Sequence, residues 1–305
     1  MADLDGAARR WSIQFGLSER NPVVADNPVG AAERVEDRVY LACAYEPYSL
    51  ELVRSDSPGA DHAGFELARE VSLDDAAAHL DALGVSYRRD DWALHLADPD
   101  GFGIELLPWR PEDDRRPAVA RSTETLPGFH PRKLGHVNVL TADIDDMRDF
   151  YCDVLGMCVS DRLGDQGVWL RLGADHHTVA LVDKGHAHFH HLALELTDWG
   201  ELRVAFDHLA QHGRWLAWGP LRHALGQNLC GYVRIPEEEC FVELYCDMEQ
   251  LEPDHEPRDW PDDVHSSNVW GILPPRSYFR FDSAAVEAER QGLEALGQPL
   301  PAGGD

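Results

Sequence analysis

His136, His191 and Glu243 each stand in a short run of aliphatic residues. In every run the aliphatic side chains alternate with the polar one, which is the period of a β-strand with one apolar face. The pattern predicts three strands whose aliphatic faces pack on helices. The two imidazoles and the carboxylate, all able to bind a metal ion, would then share the opposite, open face.

Two histidines and one carboxylate form the facial set that binds Fe(II) and leaves three coordination positions open. A single histidine in a strand is more often a hydrogen-bonded core residue than a metal ligand, so neither histidine alone carries much weight. All three strands follow the same pattern, however. The sequence therefore predicts a metal centre built from His136, His191 and Glu243.

The chain also repeats itself, which indicates its fold class. Residues 2–17 parallel residues 142–157: each copy has an Asp near its start, apolar residues at helical spacing and an apolar-Gly-apolar end. This pattern predicts an amphipathic helix with a glycine C-cap. Each half of the chain runs strand, helix, strands, and then repeats that order, so we predict an α+β protein of two domains.

The repeat places the domain boundaries. We predict an N-terminal domain over residues 1–110, a Pro- and charge-rich linker over residues 111–131, a C-terminal metal-binding domain over residues 132–250 and a tail over residues 251–305. The strand that begins at His136 has no counterpart before the first helix. We expect that the N-terminal domain has lost its first strand or that the chain begins downstream of the ancestral start, and in both cases a sheet edge is left that must be covered.

His62 and Glu105 echo His191 and Glu243 in the N-terminal domain. The first histidine of the set is missing there, because the strand that would carry it is missing. We therefore expect a vestigial site without metal.

Charge and composition exclude several classes of partner. The chain has 305 residues and a formal net charge of −28, which disfavours nucleic acid and acidic membranes, because phosphate is bound by clustered Lys and Arg. The start lacks a signal-peptide pattern and no apolar run is long enough to span a membrane, so we predict a cytoplasmic protein. The six cysteines form no CxxC pair, which predicts packed thiols. The acidic, Lys-poor composition suits adaptation to high salt, although a GC-rich genome also favours Arg over Lys.

Longer motifs resemble those of the type I extradiol ring-cleaving dioxygenases of the vicinal oxygen chelate superfamily, and most of all the catechol 2,3-dioxygenase and homoprotocatechuate 2,3-dioxygenase group. Residues 134–138 (LGHVN), 189–194 (FHHLAL) and 241–245 (FVELY) resemble the strands with the two histidine ligands and the carboxylate ligand. Residues 219–223 (GPLRH), followed by Tyr232, resemble a further signature of the group. The resemblance implies tandem βαβββ modules of the vicinal oxygen chelate fold.

The resemblance also implies an activity. It is that of an Fe(II)-dependent dioxygenase that inserts both atoms of O2 into a catechol next to the diol, giving a muconic semialdehyde-type product in the degradation of aromatic compounds. Mn(II) is the alternative metal, because the same ligands accept it. In this role His177 would be the acid–base residue, His223 and Tyr232 would orient the substrate oxygen, and Asn138 would line the oxygen side. We expect a homo-oligomer, a dimer or a tetramer.

Departures from the family pattern bear on the substrate. Trp218 stands where the homoprotocatechuate enzymes look to have an arginine, and residues 266–268 (SSN) replace a pair of arginines. Those arginines serve a carboxylate on the substrate, so we expect a catechol without one. Residues 236–240 add one residue to the turn before Glu243, which changes the turn and not the ligand.

Two other functions stay open on the sequence alone. The superfamily also contains metal-dependent isomerases and thiol transferases of the glyoxalase and antibiotic-resistance kind, which share the metal cup but lack the set of His177, His223 and Tyr232. It further contains metal-free ligand-binding proteins, which need no aligned ligands.

Two segments allow two interpretations each. The tail, with aromatic residues such as Trp270 and Tyr278, resembles the segment that closes over such active sites, and packing on the surface is the alternative. His186, His188 and His190 could form a metal-binding tract, but we interpret them as a polar approach to the strand of His191.

Overall fold

The first half of the chain begins with a helix. The computed structural model describes residues 3–20, 37–110, 128–271 and 273–279. The elements up to residue 110 are α1 (Leu4–Phe15), β1 (Ser18–Arg20), β2 (Arg38–Ala42), β3 (Leu50–Val53), β4 (His62–Glu66), α2 (Leu73–Leu83), β5 (Arg88–Arg89), β6 (Leu94–Ala97) and β7 (Gly103–Leu107).

The second half contains two complete βαβββ modules. Its elements are β8 (Lys133–Thr141), α3 (Ile144–Asp149), a π-helical turn (Phe150–Val154), β9 (Cys158–Leu163), β10 (Gly167–Arg171), β11 (Val179–Asp183), β12 (His188–Glu195), α4 (Trp199–Gln211), β13 (Leu216–Arg222), β14 (Leu229–Ile235), β15 (Cys240–Cys246), β16 (Arg258–Trp260), α5 (Val264–Ser267) and a 3-10 turn (Arg276–Phe279). The modules run from β8 to β11 and from β12 to β15. The predicted α+β class and module order are confirmed.

Local sequence sets the ends of the repeated helix. In α1 the Asp3 carboxylate accepts a 2.9 Å hydrogen bond from the amide of Gly6, and Gly16 adopts the left-handed conformation that ends helices. The second copy begins in the same way at Asp143, but it continues into the π-helical turn before Gly156 ends it with φ 75°. Both predicted helices therefore form, and the π-helical turn is the feature that the apolar spacing did not indicate.

The strands with the predicted metal ligands are neighbours in one sheet. The second half forms a nine-stranded sheet in the order β13-β14-β15-β12-β8-β11-β10-β9-β16. Strand β12 runs antiparallel to β8 and parallel to β15, and its Ala193 is the register partner of both His136 and Glu243. The opening strands of the two modules thus meet at the centre of the sheet.

The described residues of the first half form two separate sheets. Their orders are β1-β2-β3 and β4-β7-β6-β5. Strand β4 pairs with β7 in the same parallel manner as β12 with β15, so the two halves match strand by strand. In the second half β8 joins the two modules, and residues 3–20 and 37–110 contain no counterpart to it. The first half therefore has two sheets where the second half has one, because the strand that would join them is missing from the described residues.

Aliphatic strand faces pack on the helices, and the helices join the two halves. Leu194 of β12 and Leu244 of β15 belong to one buried cluster with Trp11 of α1. A second cluster links Leu80 of α2 to Tyr151 in the π-helical turn. The predicted orientation of the aliphatic faces is confirmed. Replacing a core leucine such as Leu194 with alanine would cost about 2–5 kcal/mol of stability.

The opposite face of these strands is buried, and the expectation of an open face was wrong. His136, His191 and Glu243 are 3%, 5% and 1% exposed. Trp218 of β13 and Tyr278 of the 3-10 turn belong to a third buried cluster on that side of the sheet. A strand covered on both faces still alternates, because one face is aliphatic and the other combines aromatic and polar groups.

Other features of the chain bear on the remaining expectations. All six cysteines are free thiols; four are buried as predicted, Cys152 is partly buried, and the expectation of packing was wrong for Cys158, which is exposed. No helix in the described part of the chain is long and apolar enough to cross a membrane. Residues 111–127 of the predicted linker and residues 280–305 of the predicted tail lie outside the described residues.

Candidate metal centre

Two imidazoles and one carboxylate converge at the centre of the nine-stranded sheet. The Oε2 atom of Glu243 lies 3.0 Å from Nε2 of His136 and 3.1 Å from Nε2 of His191. The ligand atoms of all three residues lie within 4.8 Å of one another. The structure therefore brings together the three residues that the sequence pattern proposed as ligands.

The protonation states of this cluster suit metal binding. Burial would raise the pKa of Glu243, but the neighbouring His136 and His191 outweigh it and hold that pKa well below its ordinary value. Burial lowers the pKa of His191 to about 4. At neutral pH the cluster thus offers an ionised carboxylate and a neutral imidazole, the forms that bind metals.

Unsatisfied polar atoms show that the cluster fits a cation. Nε2 of His191 is buried and makes no hydrogen bond, although a carboxylate oxygen of Glu243 lies 3.1 Å away. Nδ1 of His136 is also buried without a hydrogen-bond partner. A buried polar atom without a partner is costly, and a divalent cation would satisfy Nε2 of His191, the one of these two atoms that faces Glu243. The residues present therefore fit a metal held by two His and one Glu.

A second group of possible ligands shares the same carboxylate. The ligand atoms of His223, Cys230 and Glu243 also lie within 4.8 Å of one another. Burial raises the pKa of Cys230 well above its ordinary value, so its side chain stays a thiol, whereas metals bind the thiolate. The set with two histidines is the better metal site.

The carboxylate of Glu243 is also held from its far side. Asn228 is buried, and its Nδ2 donates a 2.8 Å hydrogen bond to Oε1 of Glu243. Sequence reasoning missed Asn228. A signal was present, because an amide directly before the apolar strand β14 needs a buried partner.

His177 packs against His136, one of the proposed metal ligands, and forms a hydrogen bond with His176. Its ring centroid is 4.1 Å from that of His136, and its Nδ1 lies 3.0 Å from Nδ1 of His176. Nε2 of His176 in turn lies 3.0 Å from Oδ2 of Asp161, which also binds Arg258. Burial, together with the nearby His136 and His176, lowers the pKa of His177 well below its ordinary value.

Asp161 provides a charged end to this row of side chains. Burial would raise its pKa, but hydrogen bonds from His176 and Arg258 lower the pKa to about 2. Asp161 is therefore an acceptor only. Sequence reasoning missed both His176 and Asp161, and the doublet of adjacent histidines at 176 and 177 was the available signal.

His223 and Tyr232 form a hydrogen-bonded pair next to the three proposed metal ligands. Nε2 of His223 lies 2.8 Å from the Tyr232 hydroxyl, and Nδ1 of His223 lies 2.6 Å from the backbone carbonyl of Ser267. Burial lowers the pKa of His223 and raises the pKa of Tyr232 well above its ordinary value. The ring of Tyr232 is 5.3 Å from that of His191, so the pair faces the proposed ligands.

Asn138 is buried on β8, two residues beyond His136 and on the same face of the strand. Its register partners are His191 on β12 and Ala180 on β11. Asn138, which the sequence predicts to line the oxygen side, thus lies beside the proposed metal ligands, between β11 and β12.

The histidine tract before His191 is not uniform. His186 is exposed, and His188 is half-buried with its Nε2 2.9 Å from the carbonyl of Glu239. His190 is buried, and its Nδ1 lies 2.7 Å from Nδ1 of His191. The interpretation as a polar approach suits the first two residues and is wrong for His190, because the bond to His191 draws its ring into the site.

In the described part of the first half, His62 and Glu105 correspond to His191 and Glu243, but they do not form a complete set of three ligands. Nε2 of His62 lies 3.6 Å from Oε2 of Glu105 and 3.9 Å from Oε2 of Glu51. Within the described residues, both groups of three converging metal-ligand atoms lie in the second half. The absence of a metal near His62 remains a prediction.

Sequence comparison finds a family match that includes His136 and His191 but ends before Glu243. Residues 133–230 match the family model of the Glyoxalase/Bleomycin resistance protein/Dioxygenase superfamily. The chain is 36% identical over 178 residues to metapyrocatechase 2 of Cupriavidus necator. That similarity spans 53% of this chain and only 55% of the relative, so the chain covers about half the length of the relative.

Structural comparison finds the same fold in enzymes with different names. An extradiol ring-cleaving dioxygenase from B. fuscum superposes with a TM-score of 0.76 at 20% identity, covering 92% of this chain and 78% of that one. The Mn(II)-bound glyoxalase from Novosphingobium aromaticivorans superposes with a TM-score of 0.75 at 21% identity, covering 93% and 95%. At such identities these likenesses establish the fold alone.

Proposed function

We propose that this chain, a member of the vicinal oxygen chelate superfamily related to the type I extradiol dioxygenases, is a metal-dependent dioxygenase that opens a catechol ring beside the diol. Both atoms of O2 enter the product, a muconic semialdehyde. The observation that carries the proposal is the convergence of His136, His191 and Glu243 next to the acid–base groups His177, His223 and Tyr232, of which His177 and Tyr232 are buried and His223 is partly exposed.

We propose Fe(II) as the metal, held by His136, His191 and Glu243. The chemistry that a bound Fe(II) supplies is chelation of the diol, a lowered pKa of its hydroxyls, and electrons for O2. Mn(II) is the alternative, since the same donor set accepts it. Metal analysis of the purified protein, followed by reconstitution of the chelated protein with each ion, distinguishes the two.

The pair of Tyr232 and His223 is suited to remove a proton from the substrate. The Ser267 carbonyl can only accept, so His223 carries its proton on Nδ1 and accepts from the Tyr232 hydroxyl at Nε2. The Tyr232 oxygen can then accept a hydrogen bond from a substrate hydroxyl. The substrate proton passes to Tyr232 while the phenolic proton passes to Nε2 of His223, which leaves Tyr232 donating to the deprotonated oxygen.

His177 is suited to act as a base on the other side of His136. Ionised Asp161 accepts from Nε2 of His176, so a neutral His176 offers Nδ1 as an acceptor. His177 must then donate from its own Nδ1, which leaves its Nε2 unprotonated. Its lowered pKa keeps the ring neutral at pH 7, and Nε2 can take up a proton and return it during the reaction. Asn138 would line the oxygen side of the same pocket.

The aromatic surroundings of Tyr232 favour a catechol without a carboxylate. Trp218 is buried and stacks on Tyr232 with the ring centroids 5.4 Å apart, and Tyr278 meets both rings edge-on. A substrate carboxylate placed there would be desolvated among aromatic rings, which is costly without a paired cation. We therefore propose an unsubstituted, alkyl- or aryl-catechol as substrate.

An aerobic assay of the Fe(II)-loaded protein tests the proposal. Catechol, 3-methylcatechol and 2,3-dihydroxybiphenyl should give a yellow ring-opened product, and 3,4-dihydroxyphenylacetate should react much more slowly. A Glu243→Ala variant given the same Fe(II) is the control for cleavage by free metal. If no catechol is opened by the loaded protein, the proposed reaction is wrong.

An isomerase of the glyoxalase kind is the second candidate. The observation in its favour is the fold shared with the Mn(II)-bound glyoxalase. Incubation of the metal-loaded protein with the hemithioacetal of methylglyoxal and glutathione tests it. Isomerisation without catechol cleavage would favour this candidate over the dioxygenase. A homo-oligomeric state and a cytoplasmic location stay predictions.

A further inference from the structure

The metal ligand His191 is joined through His190 to the C-terminal segment, defined here as residues 273–279. Nδ1 of His191 lies 2.7 Å from Nδ1 of His190, and Nε2 of His190 lies 2.6 Å from the backbone carbonyl oxygen of Tyr278. His190 is 1% exposed and His191 is 5% exposed. Three residues from two distant parts of the chain thus form one buried row of hydrogen bonds.

The chemistry of these groups fixes where the protons lie. A carbonyl oxygen only accepts hydrogen bonds, so His190 must carry a proton on Nε2. If His190 is neutral, its Nδ1 has no proton and accepts, and His191 donates from its own Nδ1. A neutral His191 then has no proton on Nε2, and this is the atom that faces Glu243 at 3.1 Å.

The surroundings of His190 keep it neutral. Its ring packs against those of Phe241, Tyr278 and Phe279 at centroid distances of 5.2, 4.6 and 5.7 Å. The guanidinium of Arg234 lies over Phe241 at 4.5 Å, so a positive charge is already close. An imidazolium at this position would be buried among aromatic rings and close to the Arg234 cation, which is costly.

We propose that His190 is a positioning residue that sets the tautomer of the metal ligand His191, and that the Tyr278 carbonyl sets the tautomer of His190. The C-terminal segment is then part of the metal site as well as a cover over it. The inference rests on the proposed metal centre and not on the reaction.

The C-terminal segment is fixed well enough to serve this purpose. Nη2 of Arg234 donates a 3.1 Å hydrogen bond to the carbonyl of Ser277, directly before Tyr278. The Tyr278 ring is buried, and its centroid lies 5.1 Å from that of Tyr232 and 5.3 Å from that of Phe241. The carbonyl that meets His190 is therefore anchored on both sides.

The other histidine ligand lacks such support. Nδ1 of His136 is buried without a hydrogen-bond partner, and its Nε2 lies 3.0 Å from Oε2 of Glu243. In the metal-free protein His136 can therefore carry its proton on Nε2 and donate it to Glu243. The hydrogen bond to His190 holds His191 in the tautomer whose Nε2 can bind a metal, and His136 has no such support. Loss of His190 would therefore leave neither histidine fixed in the metal-binding tautomer.

Metal affinity of His190 variants tests the inference. His190→Phe keeps an aromatic ring but removes the acceptor, and His190→Asn can place its Oδ1 near the former Nδ1. We expect His190→Phe to weaken Mn(II) binding, measured by EPR titration, by about 10- to 100-fold, the usual effect of losing the partner of a metal-bound histidine. His190→Asn should recover most of the affinity. His188→Phe, on the same strand, is the matched control and should bind as the wild type does.

Direct observation of the ring protons gives a second, independent measurement. In the chelated wild-type protein with 15N-labelled histidine, NMR should show His190 protonated at Nε2 and His191 protonated at Nδ1. A proton on Nε2 of His191, or unchanged Mn(II) affinity in a folded His190→Phe, would overturn the inference. Because neither measurement uses a catechol, tight metal binding without ring cleavage would contradict the proposed function and leave this inference standing.

Discussion

Asn228 donates a hydrogen bond of 2.8 Å to the Oε1 atom of Glu243, the carboxylate oxygen that does not face the two histidines. Rotation of the Glu243 carboxylate would break this bond and turn Oε2 away from His136 and His191. We expect Asn228→Ala to weaken Mn(II) affinity by about 10- to 100-fold through loss of this orientation. Gln227→Ala, at the neighbouring position, is the control. Equal affinities of the two variants in an EPR titration would remove the role of Asn228.

Replacing a proposed metal ligand should remove the metal altogether, whereas replacing a residue that orients a ligand should only weaken its binding. Alanine at His136, His191 or Glu243 removes one of the three protein donors that we propose, so each variant should purify without metal under conditions that load the wild type. Elemental analysis of the folded variants, with circular dichroism as the check on folding, measures this. Full metal occupancy in any one variant would disprove that ligand.

His177 should matter for turnover and not for metal binding. Its ring contacts that of His136, but its ligand atoms are not among the converging set. We expect His177→Ala to retain metal and to lower kcat by about 10²- to 10⁴-fold, the usual contribution of a positioned acid–base group. Wild-type kcat in the metal-loaded variant would show that another group moves the proton.

Glu46 should make the stability of the protein depend on pH. Burial raises the pKa of this carboxyl from 4.5 to about 7, and its Oε2 accepts a 2.9 Å hydrogen bond from the amide of Leu134 at the start of β8. Since the folded pKa exceeds the unfolded one, the stabilisation is fully present below pH 4.5 and is lost as the pH rises through 7.

The variant Glu46→Gln isolates this effect, because glutamine can still accept from Leu134 but does not ionise. Between pH 5 and pH 8 the wild type should lose about 2 kcal/mol of unfolding free energy relative to the variant, allowing for water around a half-buried side chain. Urea unfolding at both pH values measures the difference. A difference that does not change with pH would show that Glu46 ionises normally.

The charge of −28 predicts a response to salt. Like charges on the surface repel one another in the folded state, and salt screens them over about 10 Å at 0.1 M. We expect the unfolding temperature and the activity to rise with added NaCl and to fall on transfer to low salt. Indifference to salt would count against salt adaptation.

The sequence by itself determined the strands and the three residues that we propose as metal ligands. A period of two is local: it depends on the backbone geometry of each strand and survives whichever strands become neighbours. His136, His191 and Glu243 could therefore be selected before the sheet order was known. The parallel between the two halves was equally visible, because repeated helix ends depend on Asp and Gly at fixed spacing.

Tertiary structure alone decided how these ligands are supported. His190 meets the Tyr278 carbonyl across 88 positions of chain, and His136 meets Glu243 across 107. No local period of the sequence links residues so far apart, so the proposed control of the His191 tautomer could not be predicted from spacing. The burial of the ligand face has the same origin, because the C-terminal segment and β13 cover it only after the chain has folded back. Strand periodicity tells which face a side chain takes, and only packing decides what that face meets.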